Sequence, residues 1–210
     1  MVQSIPVSDL TLRDVKDKFG LELAVDDSFF LEWQQDLPEI SDSERQALDQ
    51  IKASFLYLSE YPMSEEAVKL VMISPLLSMA GFYNPPFRIK TEAPIQIALE
   101  DEGKLVRGRI DILVLQERFW VVVVESKEAG FSLKDAIAQA LSHMMATPHP
   151  HQPAYGLATN GSEFRFIKLT AQQSPQYGLS DLLTLQRREN DLYGVLRVLR
   201  RVGILVQASE

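Results

Sequence analysis

Gly108-Arg109-Ile110-Asp111, followed fourteen residues after that aspartate by Glu125-Ser126-Lys127, lies in the stretch whose reading decides the fold. Val106 to Leu115 and Phe119 to Glu125 read as two strands, because β-branched residues crowd a stretch whose side chains alternate faces with period two. The four valines at 121 to 124 predict a strand buried on both faces. Ending such a strand in Glu-Ser-Lys demands a partner or a water cavity for the charges. If Gln116, Glu117 and Arg118 make the turn, Leu115 pairs with Phe119 and Asp111 with Val123. Glu125 then stands opposite Arg109, diagonal to Asp111 on the same face, at roughly 7–8 Å between backbones. Lys127 keeps that parity if the strand continues, whereas a one-residue slip would turn Glu125 to the opposite face.

Two carboxylates and a lysine at one point of a sheet suit metal-dependent phosphodiester hydrolysis. A hard cation such as Mg²⁺ takes oxygen ligands, keeps several waters, and is typically held by one or two carboxylates plus substrate phosphate. Asp111 and Glu125 are the expected ligands, with the backbone carbonyl of Ser126 as a third. The metal would lower the pKa of a bound water, and Lys127 would orient that water or stabilise the transition state.

These motifs resemble those of the PD-(D/E)XK nuclease superfamily, and within it the N-terminal nuclease domain of type I restriction enzyme R subunits. Gly108-x-x-Asp111 and Glu125-Ser126-Lys127 are similar to its Gly-x-x-Asp and Glu-x-Lys. Ser64-Glu65-Glu66-Ala67-Val68-Lys69, then Pro75-Leu76-Leu77 and Gly81-Phe82, are similar to its helix bearing a glutamate, its Pro-Leu-Leu and its Gly-aromatic. Ala158-Thr159-Asn160-Gly161 is similar to its Thr-Asn-Gly turn, so the resemblance covers about residues 64 to 170. It implies Mg²⁺, replaceable by Mn²⁺, as cofactor, DNA as substrate, and products with a 5′-phosphate and a 3′-hydroxyl.

The upstream glutamate is Glu65 or Glu66. Both lie in the first turn of a helix capped by Ser64, where acidic residues also complement the helix dipole. Periodicity does not choose between them; counting back from Pro75 matches the family position to Glu65 better. Downstream, Ser132 opens a helix through about Met145 with an apolar stripe of Ile137, Ala140, Leu141 and Met144. Gln139 and His143 sit together off that stripe, where a helix beside the site presents them to nucleic-acid backbone. Many superfamily members carry Gln-x-x-x-Tyr here, and His143 departs from the tyrosine. His149 and His151 alternate with prolines in an extended connector with no third Cys or His ligand nearby in sequence, so no zinc site is expected there.

The net charge of −8 argues against a phosphate-binding surface until its distribution is read. Residues 1 to 66 carry fifteen acidic side chains against five basic ones, and residues 67 to 210 fourteen against sixteen. Arg107 and Arg109 share the predicted face of Asp111, and Lys104, Lys127 and Lys134 flank it. At 210 residues and 46% hydrophobic content the chain can bury one sizeable core. The absence of cysteine excludes disulfides and thiolate sites. With no signal peptide and no apolar stretch approaching a membrane span, the cytoplasm is the expected compartment.

The expected architecture is α/β (α+β): a restriction-endonuclease-like mixed sheet flanked by helices, over residues 62–210, with an acidic helical extension, residues 1–61, packed on it. Expected helices run from Leu12 to Phe19, from a Ser41 capping box to a stop before Pro62, from Glu65 to Met79, from 133 to 145, and from Ser180 onward. Expected strands add Arg88–Leu99, Ala154–Thr159 and Glu163–Leu169, the last two joined at Asn160-Gly161. Phe29, Phe30, Leu31 and Trp33 should dock on the core. Arg187, Arg188, Arg197, Arg200 and Arg201 give the final helix a basic face for DNA or for the chain's own acidic N-terminal region.

No Gly-x-x-x-x-Gly-Lys-Ser/Thr occurs, so no motor of that kind is expected in these residues. The leading expectation is a Mg²⁺-dependent DNA endonuclease, working alone or with methyltransferase, specificity or motor subunits supplied in trans. A catalytically silent nuclease fold serving as a binding or assembly module is the alternative, and a junction-resolving or repair nuclease would share the chemistry with another substrate.

Overall fold

A computed structural model describes residues 3–99, 104–117, 119–171 and 174–207. The side chains of Gln3, Leu99, Lys104 and Phe119 lie outside that description, as does Arg118 in the expected turn. In chain order the elements are β1 (Gln3–Pro6), α1 (Leu12–Phe19), β2 (Glu22–Leu23), α2 (Asp42–Leu58), α3 (Glu65–Val68), α4 (Ser74–Met79), β3 (Phe87–Leu99), β4 (Lys104–Gln116) and β5 (Phe119–Ser126). There follow α5 (Leu133–Met144), β6 (Ala154–Thr159), β7 (Glu163–Thr170), β8 (Gln176–Leu179), β9 (Leu183–Thr184) and α6 (Leu192–Gln207).

The described strands form one mixed sheet in the order β1-β4-β5-β6-β7-β8-β2, with β3 on β4 and β9 on β7. Helices cover both faces, giving the α+β architecture expected. On one face Phe55 of α2, Val68, Met72 and Leu76 of the α3–α4 run and Leu196 and Leu199 of α6 bury against Val122, Val124 and Phe166. On the other, Val15 of α1 and Ala136, Ala140 and Leu141 of α5 bury against Val106, Val123 and Ile167. The valines of β5 thus serve both layers, as a strand between two cores requires.

The helices begin where their capping residues predict. Thr11 and Ser41 close full capping boxes with Asp14 and Glu44, and Ser64 accepts from the Ala67 N–H at 3.3 Å. Between α3 and α4 the helix widens into a π-turn over Lys69–Ile73, just before Pro75, which has no N–H to donate to the ladder.

Residues 1–61, expected to be helical, also enter the sheet: β1 lies parallel to the start of β4 and β2 parallel to β8. The final helix starts later than expected. Leu183 and Phe164 pair in β9 and β7 and the Ser180 hydroxyl accepts from the Phe166 N–H, so sheet pairing overrides the helical pattern up to Thr184; the chain then turns to Asn190, whose side-chain oxygen accepts from the Leu192 N–H.

Candidate active site

The ladder partners of β4 place the site. Along one edge β3 pairs with it from Phe87↔Gln116 to Leu99↔Lys104, except at Glu92 and Asp111. The opposite edge is shared: β5 pairs from Ile112 to Gln116 and β1 from Lys104 to Arg107. Among the described residues no strand fills the interval, which is Gly108-Arg109-Ile110-Asp111.

The hairpin register differs from the expected one. Gln116 pairs with Phe119, so the turn is one residue tighter, and a bulge between Val114 and Leu115 shifts the ladder again to Ile112↔Val124. Glu125 therefore lies level with Asp111, one step past the last pair, rather than opposite Arg109. The expected common face is lost for a different reason. Ile110 belongs to the α5 layer but Ile112 to the α3–α4 layer, so alternation along β4 breaks at Asp111. The break is matched across the ladder at Glu92, whose backbone is left-handed at φ 51°, an unfavourable state for a residue with a side chain.

The two carboxylates consequently engage different layers. Asp111 Oδ2 accepts from the Ser126 N–H at 2.8 Å and the Ser126 hydroxyl at 3.1 Å, while Oδ1 lies 3.1 Å from Lys69 Nζ. Lys69, the first residue of the π-turn, also lies 2.8 Å from Glu65 Oε1 and 3.6 Å from Glu92 Oε1. Lys127, which follows the end of β5, reaches Glu65 Oε2 at 3.8 Å. Glu125, only 1% exposed, meets His143 Nδ1 of α5 at 2.5 Å through Oε1. His143 Nε2 is buried without a hydrogen-bond partner among the described residues. It faces Gly108, where a Cβ would approach it to 2.6 Å.

Electrostatics follow from this packing. Burial pushes the Glu125 carboxyl up to about 7, against the lowering effect of His143, and the Asp111 charge adds to the rise. Burial also raises Glu65, with the Lys69 hydrogen bond opposing and the Asp111 charge reinforcing it. For Lys69, burial favours the neutral amine, but Glu65 and Asp111 outweigh it and hold the pKa above the ordinary lysine value.

Of the expected site residues, Glu65, Asp111, Ser126 and Lys127 come together, with Glu125 beside them and turned to α5. Glu65 is the helix glutamate that contacts both lysines of the group, while exposed Glu66 lines the pocket over Lys69, Glu92 and Asp111 without pairing to them. Arg107, Arg109, Gln139 and His143 line one cavity of about 310 Å³ beside the unpaired interval, and Lys134 stands apart, exposed on the first turn of α5. Lys69 and Glu92 were not anticipated. An i,i+4 spacing from Glu65 marked Lys69, but nothing local distinguishes Glu92 from any solvated strand residue.

All-oxygen donors suit a hard cation, and the Lys69 ammonium, ringed by three carboxylates, is a positive charge already standing in such a position. Among the described residues, no three His, Asp or Glu side chains form a ready metal cage. Glu65, Asp111, Glu125 and the Ser126 carbonyl are the groups that would hold an ion.

A large mixed sheet that gathers carboxylates and lysines where two neighbouring strands part is the framework of a nuclease-like α+β domain. Residues 23–175 match the family model described as type I restriction enzyme R protein N terminus, well over half of the 210. The chain belongs to that family. No curated protein matches it. Among solved structures it is similar to a fragment described as an HsdR subunit of a type I restriction enzyme from Vibrio vulnificus YJ016, at 19% identity and a TM-score of 0.39. That similarity covers 68% of this chain and 26% of the solved one. No helix among the described residues is long and apolar enough to cross a membrane.

Proposed function

We propose that the chain is a Mg²⁺-dependent DNA endonuclease, with Mn²⁺ as a substitute, acting within a restriction system. The observation that carries this reading is the convergence of Asp111, Glu65, Lys127 and the backbone of Ser126 where β4 and β5 part, with buried Glu125 adjacent. Bound there, the cation would supply Lewis-acid stabilisation of the scissile phosphate and a water acidified for attack. Asp111 and Glu125 would hold it with the Ser126 carbonyl, Glu65 assisting. Glu125 would exchange its His143 contact for the ion. Lys127 would orient the nucleophile and Glu65 would in turn fix the Lys127 ammonium. Arg107, Arg109 and Gln139 would face the DNA backbone around the neighbouring cavity, while His143, buried against Glu125, would act through that carboxylate, and Lys134 would meet only DNA that extends beyond the cavity.

The 210 residues carry no nucleotide-binding Gly-x-x-x-x-Gly-Lys motif, and the hydrolysis proposed is assigned to the carboxylate and lysine site. Methyltransferase, specificity and motor subunits are the partners a restriction assembly would provide, and the cytoplasm is where such an assembly meets DNA.

Plasmid incubated with Mg²⁺ or Mn²⁺ tests the reading. Cleavage should appear with the wild type and fall to background with Asp111→Ala. Cleavage that survives the substitution would place the activity elsewhere. One observation favours a second reading, a silent nuclease fold used for assembly: Asp111, Glu125 and Glu65 each already have a protein partner. Calorimetry separates the two, since a silent module gives no heat with Mn²⁺ and binds a protein partner instead.

A further inference from the structure

Asp111 has two oxygens, and the structure assigns them unequal duties. Oδ2 is taken by two donors of Ser126, the N–H at 2.8 Å and the hydroxyl at 3.1 Å. Oδ1 is left to Lys69 at 3.1 Å. Oδ1 is therefore the oxygen that an incoming cation would take.

A divalent ion on Oδ1 would sit at about 2.0–2.1 Å for Mg²⁺, well inside the distance the ammonium now keeps. Two cations on one carboxylate oxygen repel, so one must move. Lys69 cannot leave by diffusion, because its stem is rooted in the π-turn and its ammonium is also held by Glu65 and Glu92. A tethered competitor acts at high effective concentration however little metal is present. Glu92 adopts left-handed backbone opposite Asp111 and brings a third carboxylate to the same ammonium. Retreat toward Glu65 and Glu92 would leave Lys69 close to the phosphate that the metal attracts.

We propose that Lys69 is a built-in counter-ion that competes with the divalent cation for Asp111 and, once displaced, passes to the substrate phosphate, so that metal and DNA load together. The proposal rests on the metal-dependent reading and adds to it the control of loading. It requires metal to bind the free protein weakly and to bind more tightly when the competing charge is removed or when a phosphate backbone offers that charge another partner.

The test titrates the full chain with Mn²⁺ in a calorimeter, first without nucleic acid. Lys69→Met should bind Mn²⁺ at least about ten-fold more tightly than the wild type, and Lys69→Arg, which keeps the charge, should stay within about three-fold. If Lys69→Met fails to fold by circular dichroism, Lys69→Met combined with Glu92→Gln removes one of the carboxylates left unpaired and carries the same expectation. A phosphorothioate duplex added before the titration should tighten Mn²⁺ binding to the wild type several-fold and leave Lys69→Met almost unchanged. A folded Lys69→Met that binds Mn²⁺ no better than wild type overturns the proposal and leaves the metal-dependent reading standing. Absence of Mn²⁺ binding in wild type and variants alike, with duplex present, removes that reading and this proposal together.

Discussion

Gly108 explains at the scale of one residue why a glycine precedes Asp111 by three. A Cβ there would come to 2.6 Å from His143 Nε2 and 2.8 Å from a Val7 methyl carbon, so the missing side chain makes room for the ring that holds Glu125. Gly108→Ala should lower stability by about 1–3 kcal/mol through overpacking and, by shifting His143, should also lower cleavage; urea unfolding and plasmid assays on the same preparation check both. Glu125 carries a pH signature. Its ordinary value is 4.5 and burial takes it to about 7 in the fold. Between those values the folded protein holds a proton that the unfolded chain has released, so stability falls as pH rises through the window. Glu125→Gln should flatten that slope, measured as the urea midpoint at pH 5 and pH 8; an unchanged slope would assign the pH dependence to other groups. Asp111, Glu125, Ser126 and Lys127 could all be picked out in the sequence because their motif is local. Glu92 could not, because its place depends on a cross-strand partner and on a backbone angle that no residue type announces.

At the level of elements, the Thr159-Asn160-Gly161 turn shows how a short motif can do structural duty in two directions. The Thr159 hydroxyl accepts from the Gly161 N–H, Asn160 Oδ1 accepts from the N–H groups of Ser162 and Glu163, and its amide donates to the Phe131 carbonyl. Gly161, at φ 84°, also lets Phe55 of α2 pack against it, where a Cβ would come to 2.4 Å. Gly161→Ala should therefore cost about 2–4 kcal/mol, combining left-handed backbone with overpacking; a thermal melt unchanged within about 2 °C, equivalent to about 1 kcal/mol or less, would refute this. Helices α2 and α5 were legible from their caps at Ser41 and Ser132 and their apolar stripes, and the span of α1 was expected without its Thr11 cap. The β4–β5 register was not, because a bulge and a tight turn shift pairing without changing the hydrophobic pattern. The stretch from Ser180 to Asn190 misled for a related reason: its leucines fit a helical stripe, yet Leu183 has a strand partner in Phe164.

Across the whole molecule, the acidic N-terminal region and the arginines of α6 neutralise each other. Arg200 binds Glu44 and the Met79 carbonyl, Arg201 reaches Asp36 at 3.1 Å, and Arg197 donates to the carbonyls of Pro38 and Leu37. Of the five arginines expected on that basic face, Arg197, Arg200 and Arg201 engage the chain's own N-terminal region, and Arg187 and Arg188 precede α6. Arg197→Ala should accordingly leave DNA affinity within about two-fold while lowering the melting temperature, because its guanidinium is committed to backbone carbonyls rather than to phosphate. A large loss of affinity in a filter-binding assay, with the melt unchanged, would return α6 to the DNA surface. Overall charge hid this arrangement, since a net −8 says nothing of which acids and bases meet.

The parallel pairing of β1 with the first residues of β4 has a temporal consequence. Ser4 must find Leu105 across everything synthesised between them, and such distant closure is entropically slow compared with making the β3–β4 hairpin. The wall of the cavity beside Gly108, which Pro6, Val7 and Ser8 supply, is thus completed after that hairpin. An N-terminally clipped chain would keep the acidic cluster but lose the Pro6, Val7 and Ser8 wall of the groove, so the hydrolysis proposed for it would wait on the docking of β1 against β4.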